Sequence, residues 1–128
     1  MGLNSVLSPD DLKRGELANP GWHPAEFVSY EEKAAETDGS TNVILGFQII
    51  DGPSKGIRAN RLFNEKALGF GKALWKTFGF TTDAQGNLRI TEDMIRSKLN
   101  TKLQIYIKTG ISNKGNQFND VADFRPLT

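Results

Sequence analysis

Between residues 21 and 64 the chain reads GWHPAEFVSYEEKAAETDGSTNVILGFQIIDGPSKGIRANRLFN, three strand-like runs in succession with turn-forming residues in both gaps. The middle run is the most regular. Val43, Leu45, Phe47 and Ile49 alternate with Ile44, Gly46, Gln48 and Ile50, a period of two with one wholly apolar side, so one face of this strand is buried. Asp51-Gly52-Pro53-Ser54-Lys55-Gly56 then supplies residues that accept positive φ or preset it near −65°, and the chain reverses into a third run at 57–63. Asp38-Gly39-Ser40-Thr41 plays the same part between the first run, 25–36, and the second.

After Asn64 the period lengthens to that of a helix. Ala67, Gly71, Leu74 and Phe78 form one stripe, with Leu68 and Trp75 beside it, and Gly79 is a suitable stop. A second short helix is predicted from Thr91, an N-cap followed by Glu92 and Asp93 where the helix dipole favours acids, to about Leu99. Residues 81–87 read as loop. Two further strands, 102–108 and 117–125, flank a turn region at 110–115. The predicted fold is therefore all-β with one or two helices, in the order β-β-β-α-β-β. That is the chain order of an OB-fold, a five-stranded Greek-key barrel with a helix between strands 3 and 4. Residues 21–128 are assigned to this domain and residues 1–20 to an N-terminal arm in which Ser8-Pro9-Asp10-Asp11 can cap one helical turn.

A net charge of +1 conceals an asymmetry: residues 1–52 hold three basic and nine acidic side chains, residues 53–128 thirteen and six. Lys55, Arg58, Arg61, Lys66, Lys72 and Lys76 occur within 22 residues that contain the single acid Glu65. The third strand and the helix after it should carry a positive field, which suits a polyanion as well as it suits an ordinary solvated surface. OB-folds commonly bind oligonucleotides across strands 2 and 3 with the flanking loops 1–2 and 4–5; here those parts are residues 42–64, 37–41 and 109–116. Single strands require cations along the backbone and flat side chains for stacking, the latter worth ~1–3 kcal/mol per base. The sequence offers Lys55, Arg58 and Arg61 of the 2–3 hairpin, Asn60, Tyr106 and Lys108 of the barrel face, and Lys114 and Phe118 at loop 4–5. Tyr106, out of phase with Leu103, Ile105 and Ile107, lies on the outer face of strand 4, as a stacking platform or as cover for a neighbour. Phe118 is either a stacking platform or the first core residue of strand 5. Phe47, Phe63, Phe70, Phe78 and Phe124 are assigned to the core, and Trp75 to the bottom of the barrel.

The segments GWHPAEF, NVILGFQIIDGPSKG, IRANRLFN, FGKALWKTFGF, TKLQIYIK and FNDVADFRP, in this order and spacing, resemble small phage-encoded proteins of OB-fold type, among them phage single-stranded-DNA-binding proteins. The resemblance spans about residues 20–126. It implies a protein that coats single-stranded DNA during phage DNA replication, recombination or repair in the cytoplasm of an infected bacterial cell, together with phage or host replication and recombination proteins. The chain departs from many such proteins in ending Pro126-Leu127-Thr128, without an acidic tail. The other reading is an OB module that docks a replication or recombination protein through Glu26, Glu31, Glu32, Glu36 and Asp38 and touches no nucleic acid.

Enzymatic readings find little support. The single histidine, His23, has no partner at metal-ligand spacing, and cysteine is absent, so neither a metal nor a cofactor is expected. Adjacent acids such as Glu31-Glu32 point to opposite faces of a strand, which defeats a shared carboxylate site; Asp120 and Asp123 meet the same objection. Gly52-Pro53-Ser54-Lys55-Gly56 lacks phosphate-loop spacing and leads into a strand rather than a helix. No apolar run approaches the ~20 residues that span a bilayer, and MGLNSVLSPDD lacks a basic region followed by an apolar core, so a cytoplasmic protein without membrane partners is expected. An oligomer can form through open barrel edges, which the sequence leaves open.

Overall fold

The computed structural model describes residues 3, 4, 6, 7, 12 and 16–128. Five strands, β1 (Gly21–Ala34), β2 (Thr41–Ile49), β3 (Arg58–Asn64), β4 (Lys102–Ile111) and β5 (Gln117–Pro126), close into a barrel in the order β1-β2-β3-β5-β4. Every neighbouring pair is antiparallel except β3 and β5, which meet in parallel at Asn60 and Asp120. Closure depends on β1, whose 14 residues serve two partners: Gly21 to Glu26 pair with β4 and Ala25 to Ala34 with β2. A register shift between Phe27 and Ser29 bends the strand at this exchange, as a bulge does. The strand thus begins four residues earlier than its alternation suggested and ends two earlier.

The alternation of β2 holds: Val43, Leu45, Phe47 and Ile49 are buried. Phe47 packs 5.5 Å from Phe27 and 5.4 Å from Phe124 between ring centroids, and Phe27 reaches Phe78 at 5.5 Å. Phe63, Phe78, Phe124 and Trp75 join this core, and the Trp75 indole donates to the Leu68 carbonyl at 2.8 Å.

Two short α-helices, α1 (Lys72–Thr77) and α2 (Glu92–Arg96), lie between β3 and β4. The helix expected directly after β3 is displaced: residues Glu65–Gly71 form a 3-10 helix, interrupted by non-helical angles at Ala67, and α-helical geometry starts only at Lys72. This break corrects one core assignment. Phe70 is 81% exposed, because the kink rotates it off the stripe that Leu74 and Phe78 continue, while Trp75 packs its ring over Gly71. Thr91 caps α2 as expected, accepting from the Met94 amide at 3.2 Å, but the helix ends at Arg96, and Asn100 turns the chain with φ of 74°. The hairpin between β4 and β5 is also tighter than expected, since β4 continues to Ile111 and a turn at residues 112–116 closes it. The predicted cap at Ser8 to Asp11 lies outside the described residues. No helix among the described residues is long and apolar enough to cross a membrane.

Candidate functional site

The outer face of β1, β2 and β3 is built from cross-strand rows. Glu26, Gln48 and Arg58 form the first; Ser29, Gly46 and Asn60 the second; Glu31, Ile44 and Leu62 the third; Lys33, Asn42 and Asn64 the fourth. From Arg58 to Asn64 this face runs about 20 Å at the usual rise per strand residue. Glycine is required at its centre: a Cβ on Gly46 would run into the Ser29 hydroxyl and come within 3.1 Å of Asn60 Oδ1, so the second row stays low. A depression lies on each side of that row. One, of about 440 Å³, is lined by Lys33, Asn42, Ile44, Leu62 and Asn64 with the β1–β2 loop. The other, of about 300 Å³, is lined by Arg58, Ala59 and Asn60 of β3, Gln117, Phe118 and Asn119 of β5, and Leu17 of the arm.

The second depression sits on the seam where β3 meets β5, and side chains do much of the joining there. Asn119 uses its whole amide: Oδ1 accepts from the Ala18 amide at 2.8 Å, and Nδ2 donates to the carbonyls of Glu16 at 2.9 Å and Arg58 at 3.1 Å. The arm residues 16–18 are thereby held against the barrel, with Ala18 buried. Arg61, on the inward side of β3, donates from Nη1 to the Val121 carbonyl at 2.9 Å and stacks 4.9 Å above the Phe63 ring. Its guanidinium thus lends one donor to closing the barrel. Arg58 differs: its Nε is buried and has no hydrogen-bond partner.

Farther round, Phe118 lies over Gly110, whose missing Cβ leaves room for the ring, and remains 45% exposed. Next along the β4–β5 face, Lys108 faces Asp120 at 3.8 Å. Tyr106 then meets Trp22 edge to face at 5.3 Å, and Arg125 stacks 4.0 Å above Trp22 while bonding Gln104. Lys55 and Lys114 stand exposed in the β2–β3 loop and the β4–β5 turn. Lys66 is tied to Asp38 at 2.8 Å, and this bond, with those from Ser40, holds the Asp38 carboxyl at about 2, below the usual carboxylate range. The positive field of the middle segment is thus partly neutralised on the helical side and remains at Lys55, Lys72 and Lys76.

Of the eight residues singled out from the sequence, Arg58, Asn60 and Phe118 converge on one depression. Tyr106 and Lys108 occupy the adjoining β4–β5 face, Lys55 and Lys114 the loop tips, and Arg61 the seam. Sequence reasoning missed Leu17 and Asn119. The second had a signal, an asparagine at a buried-phase position of a strand, where its poor strand propensity calls for a specific bonding role. His23 donates through Nε2 to the Asn19 carbonyl at 2.6 Å, and among the described residues no group of three or more His, Cys, Asp or Glu could hold a metal ion.

A family model described as a protein of unknown function, DUF669, matches residues 10–128. No curated protein matches the chain.

Proposed function

The chain belongs to the DUF669 family, whose description assigns no activity, and from its own surface we propose that it binds single-stranded DNA with little sequence preference. The barrel is read as an OB-fold: a five-stranded Greek-key barrel in the order β1-β2-β3-β5-β4 with its helices between β3 and β4. The observation that carries the reading is the outer face of β2 and β3, with a depression at each end and the β1–β2 loop and β4–β5 hairpin beside them. Arg58, Asn60 and Phe118 at one end, with Ile44 and Leu62 along the path, combine a cation, amides and apolar surface as an unpaired strand requires. Lys55 and Lys114 at the loop tips extend the cationic track. Together with the resemblance to phage proteins of this type, these features support a role in coating DNA during phage replication, recombination or repair in the host cytoplasm.

One observation favours a second reading. Glu26 and Glu31 share rows with Arg58 and Leu62, so the same face presents acids that would repel a phosphate backbone and attract a basic protein. Fluorescence anisotropy of a labelled oligo-dT, titrated at several salt concentrations with duplex DNA as competitor, separates the two. Coating predicts binding whose log affinity falls linearly with log salt, by ~0.7 per phosphate neutralised, and which duplex does not displace. Absence of binding at low salt would leave the protein-docking reading.

A further inference from the structure

The depression between β3 and β5 holds more than a backbone track needs. Its polar side chains are Arg58, Asn60, Gln117 and Asn119, and its apolar ones are Leu17 and Phe118, from two segments that Asn119 locks together. Asn119 has no donor left. Arg58 has: its Nε is the one buried side-chain polar atom among the described residues that lacks a partner. A buried donor left unmade costs ~1–3 kcal/mol; Nε is closed to a ligand as the structure stands, so an acceptor would have to come through the rest of the guanidinium, which lines the depression. Phosphate could supply one, but the exposed ring of Phe118 and the side chain of Leu17 would gain nothing from a phosphate. A flat heterocycle satisfies all three.

We propose that this depression is a base-reading pocket for guanine, a proposal that rests on the single-strand-binding reading. The base would lie against Phe118 and Leu17, with the Arg58 guanidinium donating to two adjacent acceptors on its edge. Guanine presents O6 and N7 side by side, whereas adenine offers N7 beside a donor and thymine has no such pair; unpaired cytosine has one in O2 and N3, but its single ring covers less of Phe118 and Leu17 than a purine does. The arm takes part because the bonds of Asn119 to Glu16 and Ala18 fix the backbone on both sides of Leu17, which lines the site. Coating elsewhere on the face remains indifferent to sequence, and this pocket adds a preference at one position.

The test compares labelled oligo-dT with otherwise identical strands carrying one central dG, dA, dC or 7-deaza-dG, using the full chain and its Arg58→Lys variant. One dG should tighten binding about tenfold over oligo-dT, the size of a good bidentate pair, and removing N7 in the deaza analogue should abolish most of that gain. Arg58→Lys keeps the charge but loses the fork, so whatever its affinity for oligo-dT, the ratio of dG-strand to oligo-dT affinity should fall to about one, with an unchanged melting curve as control. Equal affinity for all strands would overturn the pocket while leaving general single-strand binding intact. A preference for dA would assign the reading to Asn60 or Gln117 and overturn the role of Arg58. Failure of every strand to bind would remove the underlying function as well.

Discussion

Asn119 joins three chain segments that the sequence keeps far apart, and its replacement should be costly for a residue on the rim of a barrel. Its amide makes hydrogen bonds to Ala18, Glu16 and Arg58. At a net ~0.5–1.5 kcal/mol each, three bonds amount to about 1.5–4.5 kcal/mol. Water can replace the bond to the exposed Glu16, whereas the Ala18 amide belongs to a residue only 4% exposed. Asn119→Ala should therefore lower stability by about 2–3 kcal/mol. Asn119→Asp is the sharper variant: it keeps an acceptor for Ala18 but cannot donate, and it sets a negative charge against the carbonyls of Glu16 and Arg58. It should be no milder than the alanine variant. Urea unfolding followed by tryptophan fluorescence measures both, with unchanged slopes expected for a local defect. Amide exchange at Ala18, slow in the parent protein, should become fast in Asn119→Ala. Losses within ~0.5 kcal/mol for both variants, the range of ordinary surface substitutions, would refute the idea that this side chain anchors the arm.

Further outcomes follow from the packing and from Tyr30. Phe47→Ala, in the centre of the aromatic core, should cost ~3–5 kcal/mol, whereas Phe70→Ala should change stability by less than ~0.5 kcal/mol; thermal melts of the pair test the register of β2 and the kink at Ala67 together. Tyr30 is partly buried, donates to Glu32 at 3.0 Å and lies near Glu92, which pushes its hydroxyl up to about 12 from 10.0. The folded state therefore holds this proton after the unfolded chain has lost it. The stability it contributes is complete below pH 10 and lost as pH rises toward about 12. Ultraviolet titration of the phenolate in a Tyr106→Phe background should show one late ionisation, and a midpoint at the ordinary tyrosine value would contradict the packing around Tyr30.

The fold was legible wherever a local pattern decides. The β2 alternation, the turn residues before β3 and the Thr91 cap each depend on neighbours in sequence, and each lies where the sequence places it. Phe70 was not legible. A helical stripe assumes continuous 3.6-residue geometry, and the break at Ala67 is set by how the 3-10 segment follows Asn64, whose side chain accepts from the Lys66 amide. The early start of β1 was hidden for a related reason: its first residues pair with β4, about eighty positions away, in a segment where His23 and Pro24 blur the alternation. At the site, the outward phase of β3 gave Arg58 and Asn60, but no local signal shows that Arg61 reaches across to Val121. Nor does any local signal bring Leu17 beside Phe118. Those neighbours are made by barrel closure, a long-range event.

Whether single-stranded DNA lies along β2 and β3, as proposed, is decided by titrating isotope-labelled protein with oligo-dT and following backbone amide shifts by NMR. The claim predicts shifts concentrated at Ile44, Gly46 and Gln48 of β2, at Arg58, Asn60 and Leu62 of β3, and at Phe118, with Phe70 and the α1 face unmoved. Saturable binding whose shifts fall instead on α1 and the 3-10 segment around Lys72 and Lys76, leaving Arg58 and Asn60 unchanged, would contradict it.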